Sequence, residues 1–109
     1  MILSEANNVL VTGGTGFIGS YLVEKLLEWN NFSVTVIDNA FSYDVLPNAI
    51  KDKVRLENID IRNLRNTEKI FEETKPDIVF HLAAIHFIPY CNKHPNDVVD
   101  VNIRGSSNI

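Results

Sequence analysis

Close to its start the chain reads Val9-Leu10-Val11-Thr12-Gly13-Gly14-Thr15-Gly16-Phe17-Ile18-Gly19, where an apolar run leads directly into closely spaced glycines. The apolar run predicts a strand buried on both faces, and the residues after the glycines predict an amphipathic helix. Gly13 allows a tight turn, Gly16 lets main chain approach a phosphate, and Gly19 lets the helix pack close to the strand. This strand–turn–helix unit predicts a pyrophosphate site at the N-terminus of a helix.

An acidic residue at the end of the second predicted strand supports this interpretation. Asp38 lies nineteen residues past Gly19, where a carboxylate can accept hydrogen bonds from the hydroxyls of an adenosine ribose. We expect Asp38 and Asn39 to hold that ribose, while Phe17 and Ile18 offer backbone amides to the pyrophosphate. The pattern therefore predicts dinucleotide binding. The alternative is a glycine turn in an unrelated α/β domain, with Asp38 only capping the next turn.

The charge of Asp38 also bears on which dinucleotide is bound. A carboxylate at this position repels the 2′-phosphate of NADP, and the residues that follow, Asn39-Ala40-Phe41-Ser42, include no Arg or Lys to compensate. An unpaired contact between like charges should disfavour NADP by about 1–3 kcal/mol. We therefore predict NAD as the cofactor.

Size and composition narrow the class of protein. The 109 residues suffice for about one domain, and 45% hydrophobic with 22% charged residues is ordinary for a globular chain. A net charge of −4 without a basic cluster argues against nucleic acid as a partner. Cys91 is the single cysteine, which excludes an internal disulfide, and no Cys/His spacing resembles a metal site. We expect a cytoplasmic protein that neither spans nor binds a membrane.

Strand and helix patterns alternate along the chain. Strands are predicted at 9–11, 33–37, 54–59 and 78–82, helices at 17–29, 63–74 and 95–109, and a short helical turn after Pro47. This order predicts an α/β fold: the amino-terminal half of a Rossmann-type, doubly wound parallel sheet with strand order 3-2-1-4. The ligand should then lie over the carboxyl ends of strands 1 and 4. Strand 4 would be an apolar edge, so we expect either a longer chain beyond Ile109 or self-association.

Five motifs in this order resemble the extended short-chain dehydrogenase/reductase family, the NAD-dependent nucleotide-sugar epimerases and dehydratases. They are Thr12-Gly13-Gly14-Thr15-Gly16-Phe17-Ile18-Gly19, Val36-Ile37-Asp38-Asn39, Asp60-Ile61-Arg62, Phe80-His81-Leu82-Ala83-Ala84 and Asn102-Ile103-Arg104-Gly105. The resemblance extends from Val9 to about Ile109. It implies that the chain is the cofactor-binding portion of such an enzyme, with a UDP-sugar or another nucleotide sugar as substrate of the full-length parent.

The resemblance also implies roles for residues beyond the glycine loop. Asp60 would receive the exocyclic amine of adenine and Ile61 would cover the ring; an exposed loop carboxylate or a helix cap is the alternative for Asp60. Further cofactor contacts are implied along the nicotinamide half for Leu82, Ala83, Ala84 and His86, and an indirect one for Asn102, which would tie its helix to the sheet. For His86 a solvated loop histidine is the alternative, and His81 is expected to be a hydrogen-bonded core histidine.

Catalysis in the family, as the resemblance implies it, is reversible hydride transfer with a Tyr as base and a Lys four residues later. The chain holds one such pair, Tyr21 and Lys25. Both lie on the predicted first helix, on the face opposite an apolar stripe expected to be Ile18, Leu22, Leu26 and Trp29. A pair at this spacing on a surface helix needs no function. We therefore expect no catalytic residue and no turnover from these residues alone, with a non-catalytic NAD-binding module or an NADP-dependent reductase fragment as alternatives.

Overall fold

A computed structural model describes residues 7–29, 32–39, 48–85 and 87–109. Its centre is a parallel sheet of β1 (Asn8–Thr12), β2 (Ser33–Asp38), β3 (Arg55–Asn58) and β4 (Ile78–His81), in the order β3-β2-β1-β4. The predicted fold and strand order are thus confirmed. Because the order reverses between β1 and β4, the carboxyl ends of these strands frame a crevice.

The sheet separates two apolar layers, and β1 contributes to both. Val9 and Val11 point to one side, where they pack with Val23 and Leu26 of α1 (Phe17–Trp29). Leu10 points to the other side and packs in a cluster with Ile70 of α3 (Leu64–Thr74). This alternation follows from the two-residue period of a strand. Burial on both faces explains why β1 is apolar at successive positions.

The orientation of α1 differs from the prediction. Ile18 and Trp29 were expected in the core, but their exposed fractions are 68% and 67%. The buried residues of this helix are Gly19, Val23 and Leu26. The reason is that Gly19 packs against the main chain of the glycine loop. The face that carries Gly19 must therefore turn inward, and the neighbouring Ile18 is left outside.

The third helix begins at a recognisable cap. The side chain of Asn63 accepts a hydrogen bond from the amide of Asn66 at 3.0 Å, which satisfies one of the free donors of the first turn. Thr67 and Ile70 are buried on the inner face of this helix, whereas Leu64 is 49% exposed and does not belong to that face. A short helix, α2 (Asn48–Lys51), occupies the position predicted for a helical turn.

The C-terminal part is more divided than the predicted single helix over 95–109. It consists of α4 (Ile88–Lys93), which was not predicted, α5 (Pro95–Val99), a π-helical segment (Asp100–Gly105) and α6 (Ser106–Asn108). Both α4 and α5 begin near a proline, a residue that suits the first helical turn but interrupts a continuing one. In the described part of the chain, no helix has both the length and the apolar character that a bilayer span requires.

Candidate functional site

A cavity of about 460 Å³ opens over the carboxyl ends of the strands. The structure brings together there all the predicted cofactor-binding residues except His86 and Asn102: Gly13, Gly16, Phe17, Ile18, Gly19, Asp38, Asn39, Asp60, Ile61, Leu82, Ala83 and Ala84. His86 lies outside the described residues. Four aliphatic residues that the sequence interpretation missed complete the lining: Ile37, Ile59, Ile85 and Val101. The floor of the cavity is therefore more apolar than the motifs alone suggest.

The glycine loop closes the cavity at the end of β1. Gly13 has a φ of 69°, in the left-handed region that glycine adopts without steric cost. Its amide donates to the carbonyl of Ile37 at 2.9 Å, and a Cβ on Gly13 would lie 2.9 Å from the amide nitrogen of Ala83. The loop is thus pressed between the end of β2 and the segment after β4, which explains the requirement for glycine.

The next two motif glycines have different surroundings. A Cβ on Gly19 would overlap the carbonyl oxygen of Gly13, whereas a Cβ on Gly16 would have a single near neighbour among the described residues, the same oxygen at 3.3 Å. Gly19 is therefore needed for packing, and Gly16 leaves space at the cavity. The amide of Ser20 donates to the carbonyl of Gly16 at 2.9 Å, as the first helical bond of α1. The amides that precede it belong to the first turn, which carries the partial positive charge of the helix.

Gly14 was not assigned a role from the sequence, and the structure gives it one. A Cβ at this position would lie 2.5 Å from Cγ1 of Val36 on β2. The second glycine therefore lets the loop lie against the strand that ends at Asp38. The sequence signal that could have indicated this role is the position of Gly14 next to Gly13 in the glycine loop.

Asp38 is held by the same loop. Its Oδ2 accepts hydrogen bonds from the amide of Thr15 at 3.2 Å and from the Thr15 hydroxyl at 2.6 Å, while Oδ1 accepts one from the amide of Asn39 at 2.8 Å. The side chain of Thr15 is fully buried. The carboxylate at the end of β2 is therefore oriented by the glycine loop and not by its own strand alone.

Asp60 forms a compact ion pair with Arg62. Arg62 Nη2 lies 2.6 Å from Oδ2, and Nε and the backbone amide of Arg62 also donate to the carboxylate. These hydrogen bonds to Arg62 hold the pKa of Asp60 below its ordinary value of 3.8, against the opposing effect of partial burial. The helix-cap alternative for Asp60 is wrong, because the side-chain cap of α3 is Asn63. Asp60 lines the cavity, and Arg62 donates hydrogen bonds to both of its carboxylate oxygens.

Ile61 beside it is fixed by the C-terminal segment. It is 5% exposed, and its carbonyl accepts a hydrogen bond from Asn108 Nδ2 at 2.8 Å. A Cβ on Gly105 would lie 2.6 Å from Cγ1 of Ile61, so only glycine allows the π-helical segment to approach this closely. The glycine of the Asn102–Gly105 motif thus supports one wall of the cavity.

The opposite wall follows β4. The Thr12 hydroxyl accepts hydrogen bonds from the amides of Leu82 and Ala83, each at 3.0 Å. Further along, Asn102 binds both main-chain polar groups of Ile85: Oδ1 accepts from the amide at 2.8 Å, and Nδ2 donates to the carbonyl at 2.9 Å. Asn102 therefore ties the C-terminal helical segment to the segment after β4, and its side chain is linked to the cavity lining through Ile85.

His81 ends β4 with both ring nitrogens engaged. Nδ1 lies 2.6 Å from the Thr12 hydroxyl and Nε2 lies 2.8 Å from the Ser106 hydroxyl. The predicted hydrogen bonding is present, but the expectation of a core histidine is wrong, since the residue is partly exposed. Its neighbours remove enough water to lower the pKa of His81 below the ordinary 6.5.

The Tyr21–Lys25 pair faces solvent, as predicted. Tyr21 is 60% exposed and its ring contacts Phe17 edge-on, with centroids 5.6 Å apart. Lys25 pairs with Glu28 on the same surface at 3.2 Å. Neither residue lines the cavity.

The parallel sheet, the glycine turn into α1 and the carboxylate that ends β2 define a Rossmann-type domain. Residues 9–109 match the sequence model of the NAD dependent epimerase/dehydratase family, and the chain belongs to this family.

Similar proteins agree with this assignment. A putative UDP-glucose 4-epimerase of Methanocaldococcus jannaschii is 39% identical over 102 residues, covering 93% of this chain and 32% of the relative. The crystal structure of a UDP-glucose 4-epimerase from Thermotoga maritima with UDP-glucose has a TM-score of 0.83 at 37% identity, covering 93% of this chain and 32% of that one. The Thermus thermophilus UDP-glucose 4-epimerase in complex with NAD has a TM-score of 0.81 at 35% identity, with the same coverage. The chain thus spans about a third of the length of these relatives.

Proposed function

We propose that this chain is the NAD-binding portion of a nucleotide-sugar epimerase or dehydratase. The observation that carries the proposal is that the glycine loop, the N-terminus of α1 and the carboxylate of Asp38 open onto one cavity. A pyrophosphate needs the first two and an adenosine ribose needs the third. The NAD complex of the Thermus epimerase, a solved structure similar over 93% of this chain, supports the choice of cofactor.

The residues present fit NAD in shape and chemistry. Gly16 leaves open space where a larger side chain would fill the cradle beside α1. We assign the pyrophosphate to this space and to the amides of Phe17 and Ile18, whose position in the first helical turn favours an anion. The ribose of the adenosine half is assigned to Asp38 and Asn39.

The remaining walls are assigned to the two ends of the cofactor. Asp60 and Ile61 would receive adenine, with the amine directed to a carboxylate oxygen and the ring against the aliphatic side chain. Leu82, Ala83 and Ala84 would flank the nicotinamide half, where two small side chains leave room for a ring and a substrate. His86 and Asn102 stay predicted contributors, the latter through its bonds to Ile85.

NAD supplies a hydride acceptor that is regenerated within the catalytic cycle. This chain's own residues bind and orient it: the loop fixes the diphosphate, and Asp38 fixes one ribose. The base and the sugar-binding residues belong to the rest of the proposed enzyme. The UDP-glucose in the Thermotoga structure supports a nucleotide sugar as substrate. Hydride transfer at a sugar carbon is the reaction that we propose for the whole enzyme.

Calorimetric titration of the folded chain with NAD, NADH and NADP tests the proposal. We expect saturable binding of NAD and NADH and at least tenfold weaker binding of NADP, which corresponds to about 1.4 kcal/mol. Asp52→Asn is the matched control, because it removes one negative charge from an exposed turn outside the cavity. No heat with either nicotinamide cofactor at millimolar concentration would refute the proposal.

A turnover assay with UDP-glucose and NAD separates the binding portion from a complete enzyme. We expect no turnover from these 109 residues. A cytoplasmic location, self-association along β4 and the absence of a nucleic-acid partner stay predictions.

A further inference from the structure

A continuous series of hydrogen bonds runs from the end of β1 to the C-terminal helical segment. Thr12 Oγ1 is 2.6 Å from His81 Nδ1, and His81 Nε2 is 2.8 Å from Ser106 Oγ. Ser106 Oγ in turn is 2.8 Å from the carbonyl oxygen of Asn102. The series passes outside the cavity, but both of its ends hold main chain that lines the cavity: Leu82 and Ala83 through Thr12, and Ile85 through Asn102.

The number of donors and acceptors gives this series a direction. A hydroxyl has one hydrogen and two acceptor lone pairs. The Thr12 hydroxyl accepts from the amide of Ala83, and the amide of Leu82 is shared between this hydroxyl at 3.0 Å and the Thr12 carbonyl at 3.1 Å. Because amides approach both lone pairs, we orient the hydroxyl hydrogen toward Nδ1 of His81. Ser106 donates its hydrogen to a carbonyl, so it accepts from Nε2 of His81. This arrangement corresponds to a neutral ring with its proton on Nε2.

We propose that His81, as the neutral Nε2–H tautomer, is the positioning residue that fixes the main chain of residues 82–85 against the nicotinamide half of the cofactor. We call the hydrogen-bonded series Thr12–His81–Ser106–Asn102 the relay. Through the ring of His81, it links Thr12 and Asn102, the two residues that hold the main chain of this segment. A second proton on Nδ1 would compete with two backbone amides for the lone pairs of the Thr12 hydroxyl. Protonation therefore weakens the relay at Thr12. This role rests on the proposed function, since it concerns how the segment meets NAD.

The surroundings of the ring favour the neutral form. β1 contributes no titratable side chain in Asn8–Thr12. On the C-terminal segment, the charged groups Asp100 and Arg104 pair with each other at 3.4 Å. The partial burial that lowers the pKa of His81 acts in the same direction. The relay is thus complete above the ordinary histidine pKa and is lost as pH falls toward the lower pKa of the folded state.

The pH dependence of cofactor affinity, measured against a half-cofactor, tests this role. For the unmodified chain we expect NAD affinity to fall several-fold between about pH 8 and pH 5. AMP lacks the nicotinamide half that is assigned to residues 82–85, so its affinity should follow only the ionisation of its own phosphate, with a pKa of about 6, and to the same extent in the unmodified chain and in His81→Asn. His81→Asn keeps an acceptor near Thr12 but cannot titrate, so it should bind NAD within about threefold of the unmodified chain and lose the pH dependence. His81→Leu has neither group and should bind NAD about tenfold more weakly at every pH.

Ser106→Ala cuts the relay outside the cavity and is paired with Ser107→Ala, a control on the exposed neighbouring position. We expect the first to weaken NAD and spare AMP, and the second to change neither. Equal affinity of His81→Leu and the unmodified chain, or a pH dependence retained in His81→Asn, would overturn the role. A merely structural role of His81 would weaken AMP and NAD alike.

Nitrogen-15 NMR of the histidine rings reads the tautomer without any ligand. The ring signals of His81 are those that disappear from the spectrum of His81→Asn. At pH 8 they should show a protonated Nε2 and an unprotonated Nδ1. A proton on Nδ1 would overturn the relay. If the chain fails to bind NAD, the proposed function falls, and this spectrum still decides whether the relay exists.

Discussion

The hydroxyl of Thr15 donates to Oδ2 of Asp38 at 2.6 Å, and the amide of Thr15 reaches the same oxygen at 3.2 Å. One buried residue of the glycine loop thus orients the carboxylate that ends the neighbouring strand. The contact joins the proposed pyrophosphate site to the proposed ribose site. The two halves of the adenosine diphosphate cradle are therefore set relative to each other before a ligand arrives.

Replacing Thr15 with valine should weaken both folding and NAD binding. The change keeps the shape but removes the hydroxyl, and a hydrogen bond to a charged acceptor contributes about 1.5–3 kcal/mol. We expect a loss of about 2 kcal/mol in the free energy of unfolding, measured by urea denaturation, and weaker NAD binding by calorimetry. Thr15→Ser retains the hydroxyl and should keep both properties close to those of the unmodified chain. Unchanged NAD affinity in Thr15→Val would contradict a role for this contact in orienting Asp38.

Replacing Asp38 with alanine should change the preference between NAD and NADP. The carboxylate is proposed to accept from the ribose hydroxyls and to repel a 2′-phosphate, so its loss weakens NAD and removes the penalty on NADP. We expect the affinity ratio to shift toward NADP by at least tenfold, about 1.4 kcal/mol, measured by paired titrations. Asp52→Asn serves as the charge control. The same discrimination before and after Asp38→Ala would rule out the assigned role.

Much of the fold could be predicted because its determinants are local in the sequence. Strand patterns, beginning with the apolar run Val9–Val11, alternate with helical patterns along the chain. This alternation leaves few topologies other than a parallel sheet. The orientation of α1 could not be read in the same way. Ile18 looks like a core residue by spacing, but the close approach of Gly19 to the loop decides which face turns inward.

The parts of the candidate site that belong to a sequence motif were predicted. The parts that depend on contacts between distant segments of the chain were missed. The glycines and Asp38 are recognisable by residue type and spacing. Thr15 is a middle residue of the loop, and its bond to Asp38 joins residues that are 23 positions apart. The packing of Gly105 on Ile61 likewise depends on how the C-terminal segment lies across the sheet. No periodic pattern reports either contact.

Alanine at Gly19 should mainly affect folding, and alanine at Gly16 should mainly affect NAD binding. Gly19→Ala places a Cβ on the carbonyl oxygen of Gly13, and such overpacking costs about 1–3 kcal/mol, more than the roughly 1 kcal/mol of helix propensity gained. We expect a lower thermal unfolding midpoint. Gly16→Ala adds a Cβ with one close neighbour among the described residues, at 3.3 Å, so it should destabilise the chain less than Gly19→Ala does and bind NAD at least about tenfold more weakly. If Gly16→Ala destabilises the chain as much as Gly19→Ala, the division of roles is wrong.

The ion pair between Arg62 and Asp60 should be visible in the acid stability of the chain. The pKa of Asp60 is lowered in the folded state, so its contribution is present above the ordinary value of 3.8 and is lost as pH falls through the lower folded value. Arg62→Gln should raise the pKa of Asp60 toward 3.8, as followed by carboxyl NMR, and should shift acid unfolding to higher pH. Arg65→Gln, on the exposed face of α3, is the control. A pKa of Asp60 that does not change in Arg62→Gln would contradict the assigned cause.

The close packing of Gly105 on Ile61 should appear as coupling between two substitutions. Gly105→Ala alone brings a Cβ to 2.6 Å from Cγ1 of Ile61, which should cost about 1–3 kcal/mol in the free energy of unfolding. Ile61→Ala alone removes a buried side chain from the cavity wall and should cost about 2–5 kcal/mol. In the double variant the new methyl group occupies part of the space that Ile61 leaves, so the combined loss should be smaller than the sum by about 1–2 kcal/mol. A urea-denaturation double-mutant cycle measures this difference, and strict additivity would show that the C-terminal segment does not support the cavity wall at Ile61 through this contact.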